Sequence, residues 1–150
     1  MTSPEITVTA SGNLTADPVL RFTDAGVPVA SFTIAHTPRI RRGDEWVDGE
    51  AVFLPAEVWR EQAENVAESL RRGHRVTAVG ALRQDNWKDK ETGEPRSRLK
   101  LVVSEIGAST RYARVSVSKT GKGGADRDVP PPVDPATGEA ATERTAPAVA

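Results

Sequence analysis

The chain contains no cysteine, which excludes disulfide frameworks, thiolate nucleophiles and cysteine-ligated metal sites. Histidine is nearly as scarce. His36 and His74 stand far apart without helical spacing between them, and no carboxylate accompanies either in a metal-ligand pattern, so both read as ordinary surface or strand residues. No metal or cofactor is expected. No apolar run approaches the roughly 18 residues of a membrane span, and the N-terminal MTSPEITV lacks the basic and apolar regions of a signal peptide. The expected location is therefore cytoplasmic. An excess of charge of one sign is also missing: the formal net charge of the 150 residues is -1, basic and acidic residues balance through Arg114, and the rest carries one more acid than base. A uniformly basic surface is excluded, so any anion-binding surface must be a local patch.

Aromatic residues make up only 5% of the chain, which makes the place of each informative. Trp87 stands in RQDNWKDKETGEPRSRL, Arg83 to Leu99, where its near neighbours are almost all charged or turn-forming. A core has few routes to such a ring.

What is present is alternation. EITVTASGNL, Glu5 to Leu14, sets Ile6, Val8 and Ala10 against Thr7, Thr9 and Ser11, the period of a half-buried strand, broken by Gly12 and Asn13. PVASFTIAHTP repeats it, with Ala30, Phe32 and Ile34 on one face and Pro38 as the expected end. After the polar excursion RIRRGDEWVDGE, a third main strand runs from Ala51 to Val58. Pro55 within it cannot donate to a ladder, which calls for an edge, a bulge or a pairing gap.

The period then changes. In Glu61 to Gly73, Ala63, Val66, Ala67 and Leu70 fall on one helical face, with acids early, Arg71 and Arg72 in the expected last turn and Gly73 as the expected left-handed cap. RVTAVGAL, Arg75 to Leu82, and RSRLKLVV, Arg96 to Val103, return to strand composition, and KDKETGEP between them has the chemistry of a loop in a long hairpin. Trp87 belongs on the outgoing arm of that hairpin. STRYARVSVSK could add a short strand around Val115 and Val117. From there the Gly-, Pro- and Ala-rich stretch offers almost no large apolar residue to offset its ordering entropy, so the domain is expected to span 1–118 and a disordered tail 119–150.

Three strands, one helix and two strands joined by a long hairpin is the order of an OB-fold, a mainly β, five-stranded Greek-key barrel with its helix between strands three and four. Other small barrels with one helix would read alike from order alone. The residues carry the reading further. GNLTADPVLRFTDAGVPVASFTIAHTPR, then WVDGEAVFLPAEVWREQAENVAESLRRGHRVTAVGALRQDNW, then EIGASTRYA closely resemble bacterial single-stranded DNA-binding proteins, above all the actinobacterial ones, over about residues 5 to 118. The resemblance implies an OB-fold homotetramer that wraps single-stranded DNA in replication, recombination or repair, nucleoid-associated and not an enzyme. No nucleophile with a base, phosphate loop or metal cluster argues for catalysis.

A binder indifferent to sequence needs flat rings for bases and cations for phosphates. By motif, the resemblance places stacking aromatics at Phe53, Trp59 and Trp87. Phe53 and Trp59 could instead serve the core or a subunit contact, and Trp46, in the charged excursion, could stack or simply anchor its loop. Phe22 and Tyr112 read as packing. The phosphate candidates are Arg39, Arg41 and Arg42 before Trp46, and Arg72 at the helix end. Around the hairpin they are Arg83, Lys88, Arg96, Arg98 and Lys100. For any one of them the alternative is a solvated surface charge.

Two departures stand out. Asp85 and Asn86 precede Trp87 where many family members carry basic residues. Those members also end in an acidic cluster closed by Pro and Phe, which docks repair and replication proteins, whereas this sequence ends TERTAPAVA. Docking through such a tip is not implied here, and a specialised secondary member, or a shortened chain, is the expectation. The rival reading is an OB-fold protein-interaction or assembly module with weak nucleic-acid binding. Stacking alone does not separate DNA from RNA.

Overall fold

Alternation along Pro28–His36 turns Ala30, Phe32 and Ile34 inward, and they lie at the centre of a buried cluster with Leu14, Ala56, Val58, Val76, Ala78, Leu101 and Val103. This is a computed structural model that describes residues 4–120. Its elements are β1 (Thr7–Leu14), β2 (Val19–Phe22), β3 (Pro28–His36), β4 (Arg39–Arg42), β5 (Glu45–Asp48) and β6 (Val52–Trp59). They are followed by α1 (Glu61–Ser69), β7 (Arg75–Lys88) and β8 (Pro95–Ala108).

The sheet order β1-β7-β8-β6-β3 closes on itself through a β1–β3 pairing, while β2 lies along the first half of β3. The ring is a five-stranded OB barrel with α1 between its third and fourth strands, as the order of elements predicts. Two of its seams are short. β1 meets β3 at Asn13↔Ala35 and Leu14↔Ile34, and β6 meets β8 in parallel at Ala56↔Leu101 and Glu57↔Val102. Pro55 sits just outside the second seam and so is asked for no ladder bond there. Of the edge, bulge or pairing gap that Pro55 calls for, the structure has a gap toward β8, while on the other side Pro55 pairs with Thr33.

Glycine makes the barrel's tight points. A Cβ on Gly12 would lie 2.3 Å from the Ala35 carbonyl oxygen, and one on Gly80 would lie 2.1 Å from that of Val102. Only a residue without a side chain lets the backbones approach so closely. At Gly80 the β7–β8 register shifts by a bulge at Ser104, whose hydroxyl donates to the Val79 carbonyl at 2.9 Å.

The helix closes the barrel with Ala63 and Val66, joined by Leu70 just past its end, on the face expected from the sequence. Its Gln62 amide serves the bulge from the other side, donating to the Ser104 carbonyl at 3.0 Å and accepting from the Ile106 N–H at 3.1 Å. The helix begins at a strained corner: Arg60, its N-cap, has φ 64° and ψ -142°, a conformation that suits glycine.

Several expectations need correction. The helix ends at Ser69, with Leu70 already extended, so Arg71, Arg72 and Gly73 lie beyond it. Arg71 still answers the free carbonyls, donating to Ala67 and Leu70 at 2.6 and 2.8 Å, and Gly73 uses its positive φ in the following turn. The polar excursion is a two-stranded sheet, β4–β5, and β2 was not foreseen. No strand forms around Val115 and Val117. Phe22 and Tyr112, read as packing, are exposed at 60% and 77%, because Phe22 ends a short edge strand and Tyr112 lies past the last one.

The barrel unit ends at Val115 and a second begins at Ser116, of which the described residues 116–120 carry no helix or strand. The expected tail falls almost wholly on residues 121–150, outside the described residues. Among the described residues, no helix is long and apolar enough to cross a membrane.

Candidate nucleic-acid interface

Strand alternation decides what the barrel shows to solvent. On β6 the inward residues are Leu54, Ala56 and Val58, which leaves Phe53, Pro55, Glu57 and Trp59 on the outer face. Phe53 is 62% exposed and Trp59 39%, and the Trp59 indole N–H donates to Glu57 Oε1 at 3.2 Å.

β7 and β8 run on past the barrel as a projecting ribbon. Its register sets Arg83↔Lys100, Asp85↔Arg98 and Trp87↔Arg96 side by side, so these six share one face. Trp87 is 48% exposed, with the Arg98 guanidinium 6.0 Å from its ring centre, at the limit of a cation–π contact. The tip is tied by Asp89, whose carboxylate accepts from the Glu91 and Thr92 N–H groups at 2.8 and 3.2 Å and pairs with Arg96 at 3.4 Å. The Glu91 N–H, then that of Thr92, hold the Asp89 carboxyl below its ordinary pKa; burial opposes them, and the Arg96 contact, the least of these effects, adds to the lowering.

Where ribbon meets barrel, the Lys100 ammonium lies between Glu57 at 3.1 Å and Asp85 at 2.9 Å. Partial burial pulls its pKa down, but the two carboxylates outweigh that and leave it above the ordinary lysine value. A groove of about 420 Å³ opens here, lined by Arg21, Thr33, Pro55, Glu57, Asp85, Arg98 and Lys100 among others. Another of about 500 Å³ follows the outer ribbon past Trp87, Lys88 and Arg96.

The remaining candidates are more scattered. On the β4–β5 sheet, Trp46 is 60% exposed opposite Arg41. Arg39 donates to the Trp46 carbonyl at 3.1 Å and pairs with Asp48 at 3.7 Å, and Arg41 pairs with Asp44 at 3.7 Å. Arg83 pairs with Glu5. Arg72 lies in the turn after α1, where its N–H donates to Asp17 at 2.8 Å, on none of these strands. Among the described residues, the side chains of Arg42, Arg72 and Lys88 show no ion pair.

Reading the sequence did not assign Glu57 or Arg21 to this surface. Alternation from Phe53 to Trp59 already puts Glu57 on the aromatic face, but its link to Lys100 needs the parallel β6–β8 register. The tryptophans, the cations between them and the open groove together define an OB-fold protein with an aromatic, mixed-charge outer face. The model of the Single-strand binding protein family matches residues 6–109. A single-stranded DNA-binding protein of Mycolicibacterium smegmatis is 52% identical over 122 residues, 80% of this chain and 73% of that one. One from Paenarthrobacter aurescens is 55% identical over 77% of this chain and 68% of its own. Single-stranded DNA-binding protein 2 of Streptomyces coelicolor is 51% identical over 77% of this chain and 59% of its own. The crystal structure of the small single-stranded DNA-binding protein from Streptomyces coelicolor superposes with a TM-score of 0.62 at 28% identity, covering 72% of this chain and 97% of that one. The chain belongs to the single-strand binding protein family, which is not a family of enzymes.

Proposed function

We propose that this protein binds and protects single-stranded DNA without sequence preference, in replication, recombination or repair, as an intracellular, nucleoid-associated homotetramer. The observation that carries the reading is the exposed ring of Trp87 on a ribbon face shared with Arg96 and Arg98, continuous in register with the β6 face of Phe53 and Trp59. Bases stack on any flat ring whatever their identity, each contributing about 1–3 kcal/mol. Phosphates are met by cations: Arg98 beside Trp87, and, elsewhere on the surface, Arg42 on β4, Arg72 after α1 and Lys88 on the ribbon. Arg39, Arg41, Arg83 and Arg96 hold exposed ion pairs that contribute little and exchange readily for a phosphate. Trp46 adds a ring on the β4–β5 sheet.

The family match and the names of the relatives support DNA as the ligand. Titration of tryptophan fluorescence with oligo(dT) tests this. Strong quenching that weakens with salt is expected, and an absent response at low salt would favour the protein-interaction reading. Competition between matched RNA and DNA oligomers decides the sugar, and light scattering decides the oligomeric state.

A further inference from the structure

Glu57 and Asp85 lie among the residues proposed to meet DNA: Glu57 shares the outer face of β6 with Phe53 and Trp59, and Asp85 shares the ribbon face with Trp87. Carboxylates there repel a phosphodiester backbone. Both converge on one ammonium, that of Lys100, at 3.1 and 2.9 Å, and its side chain is only 19% exposed. Drawing that ammonium out to a phosphate would break two short ion pairs and leave both acids uncompensated on the surface. Glu57 is engaged again by the Trp59 indole N–H at 3.2 Å, so the same carboxylate orients a ring and anchors the lysine. Arg98, cross-strand from Asp85, stands over Trp87 and forms no ion pair with Asp85.

We propose that Lys100 is a positioning residue of the DNA surface: it neutralises Glu57 and Asp85 and ties the base of the β7–β8 ribbon to β6, and it does not pair with phosphate. The inference rests on the single-stranded DNA reading above. It also accounts for an acid at Asp85, two residues before the hairpin aromatic, since the acid is answered within the fold.

The test uses the full chain, oligo(dT) and a salt series followed by tryptophan fluorescence, with melting curves to confirm folding. Each phosphate paired by a cation contributes about 0.7 to the slope of log affinity against log salt on a single strand. Lys100→Met should weaken binding at low salt about tenfold or more, a loss that shrinks as salt screens the two uncompensated carboxylates. The triple variant Glu57→Gln/Asp85→Asn/Lys100→Met should return affinity to the native range. A triple variant that stays as weak as Lys100→Met would overturn the proposal and make Lys100 a direct phosphate contact. So would Lys100→Met binding as tightly as the native chain. If Lys100→Met does not fold, Glu57→Gln/Asp85→Asn decides. Freed Lys100 should tighten binding and steepen the slope by about 0.7, and an unchanged slope contradicts masking. Failure of the native chain itself to respond to oligo(dT) would overturn the DNA reading, a result distinguishable from all of these.

Discussion

Single residues carry unequal shares of this molecule. Trp87 stands on the ribbon outside the buried cluster, so Trp87→Ala should weaken oligo(dT) binding by about 1–3 kcal/mol while leaving the melting temperature almost unchanged. Unfolding of that variant would place the ring in the core instead. Trp59 is less exposed and tied to Glu57, so its loss should lower both binding and stability. Arg60 is a case of strain. Arg60 is exposed and makes no side-chain capping bond, so at φ 64° Arg60→Gly should raise stability by about 1 kcal/mol in denaturant titration.

At the scale of elements, the barrel depends on close approaches that only glycine permits. Gly12→Ala would set a methyl 2.3 Å from the Ala35 carbonyl oxygen at the seam that closes the ring, and should cost about 2 kcal/mol or more by chemical denaturation. The ribbon tip depends on Asp89. Because its folded pKa lies below the ordinary value of 3.8, the stabilisation it supplies is complete above that value and disappears as pH falls through the depressed one. Amide signals of Glu91 and Thr92 should hold their positions from neutral pH down to about pH 4 and shift below it; in Asp89→Ala they should already be shifted at neutral pH.

Much of this architecture is legible in the sequence because period-two and helical patterns survive where one face is buried, as for Ala30, Phe32 and Ile34 or Ala63, Val66 and Leu70. β2 was illegible because four residues, three of them exposed or at an edge, bury too little to leave a pattern. β4 and β5 were hidden by charge, since their strands pair only with each other and both faces meet water. The helix end is hard to read because Arg71, a cation of the kind that belongs in a last turn, caps the helix from beyond it. At the site, the rings and the ribbon cations could be chosen from their neighbours, but the Glu57–Lys100–Asp85 cluster joins residues far apart in the chain. The β7–β8 hairpin sets Asp85 beside Lys100, and only the barrel's parallel seam brings Glu57 to them.

For the whole molecule, the balance of acids and bases implies that attraction to DNA is local, carried by the ribbon and its neighbouring strands and not by the overall field. Affinity should therefore fall with salt along a line whose slope counts the phosphates paired, about 0.7 for each. The central claim is that the exposed tryptophans are stacking platforms on a single-stranded DNA path. Its most direct measurement is the fluorescence of the full chain titrated with oligo(dT) at low salt, native beside Trp87→Ala. The account predicts strong quenching in the native protein and a smaller, weaker response in a variant that melts normally. Equal titration curves for the two, or no quenching in either, would contradict it.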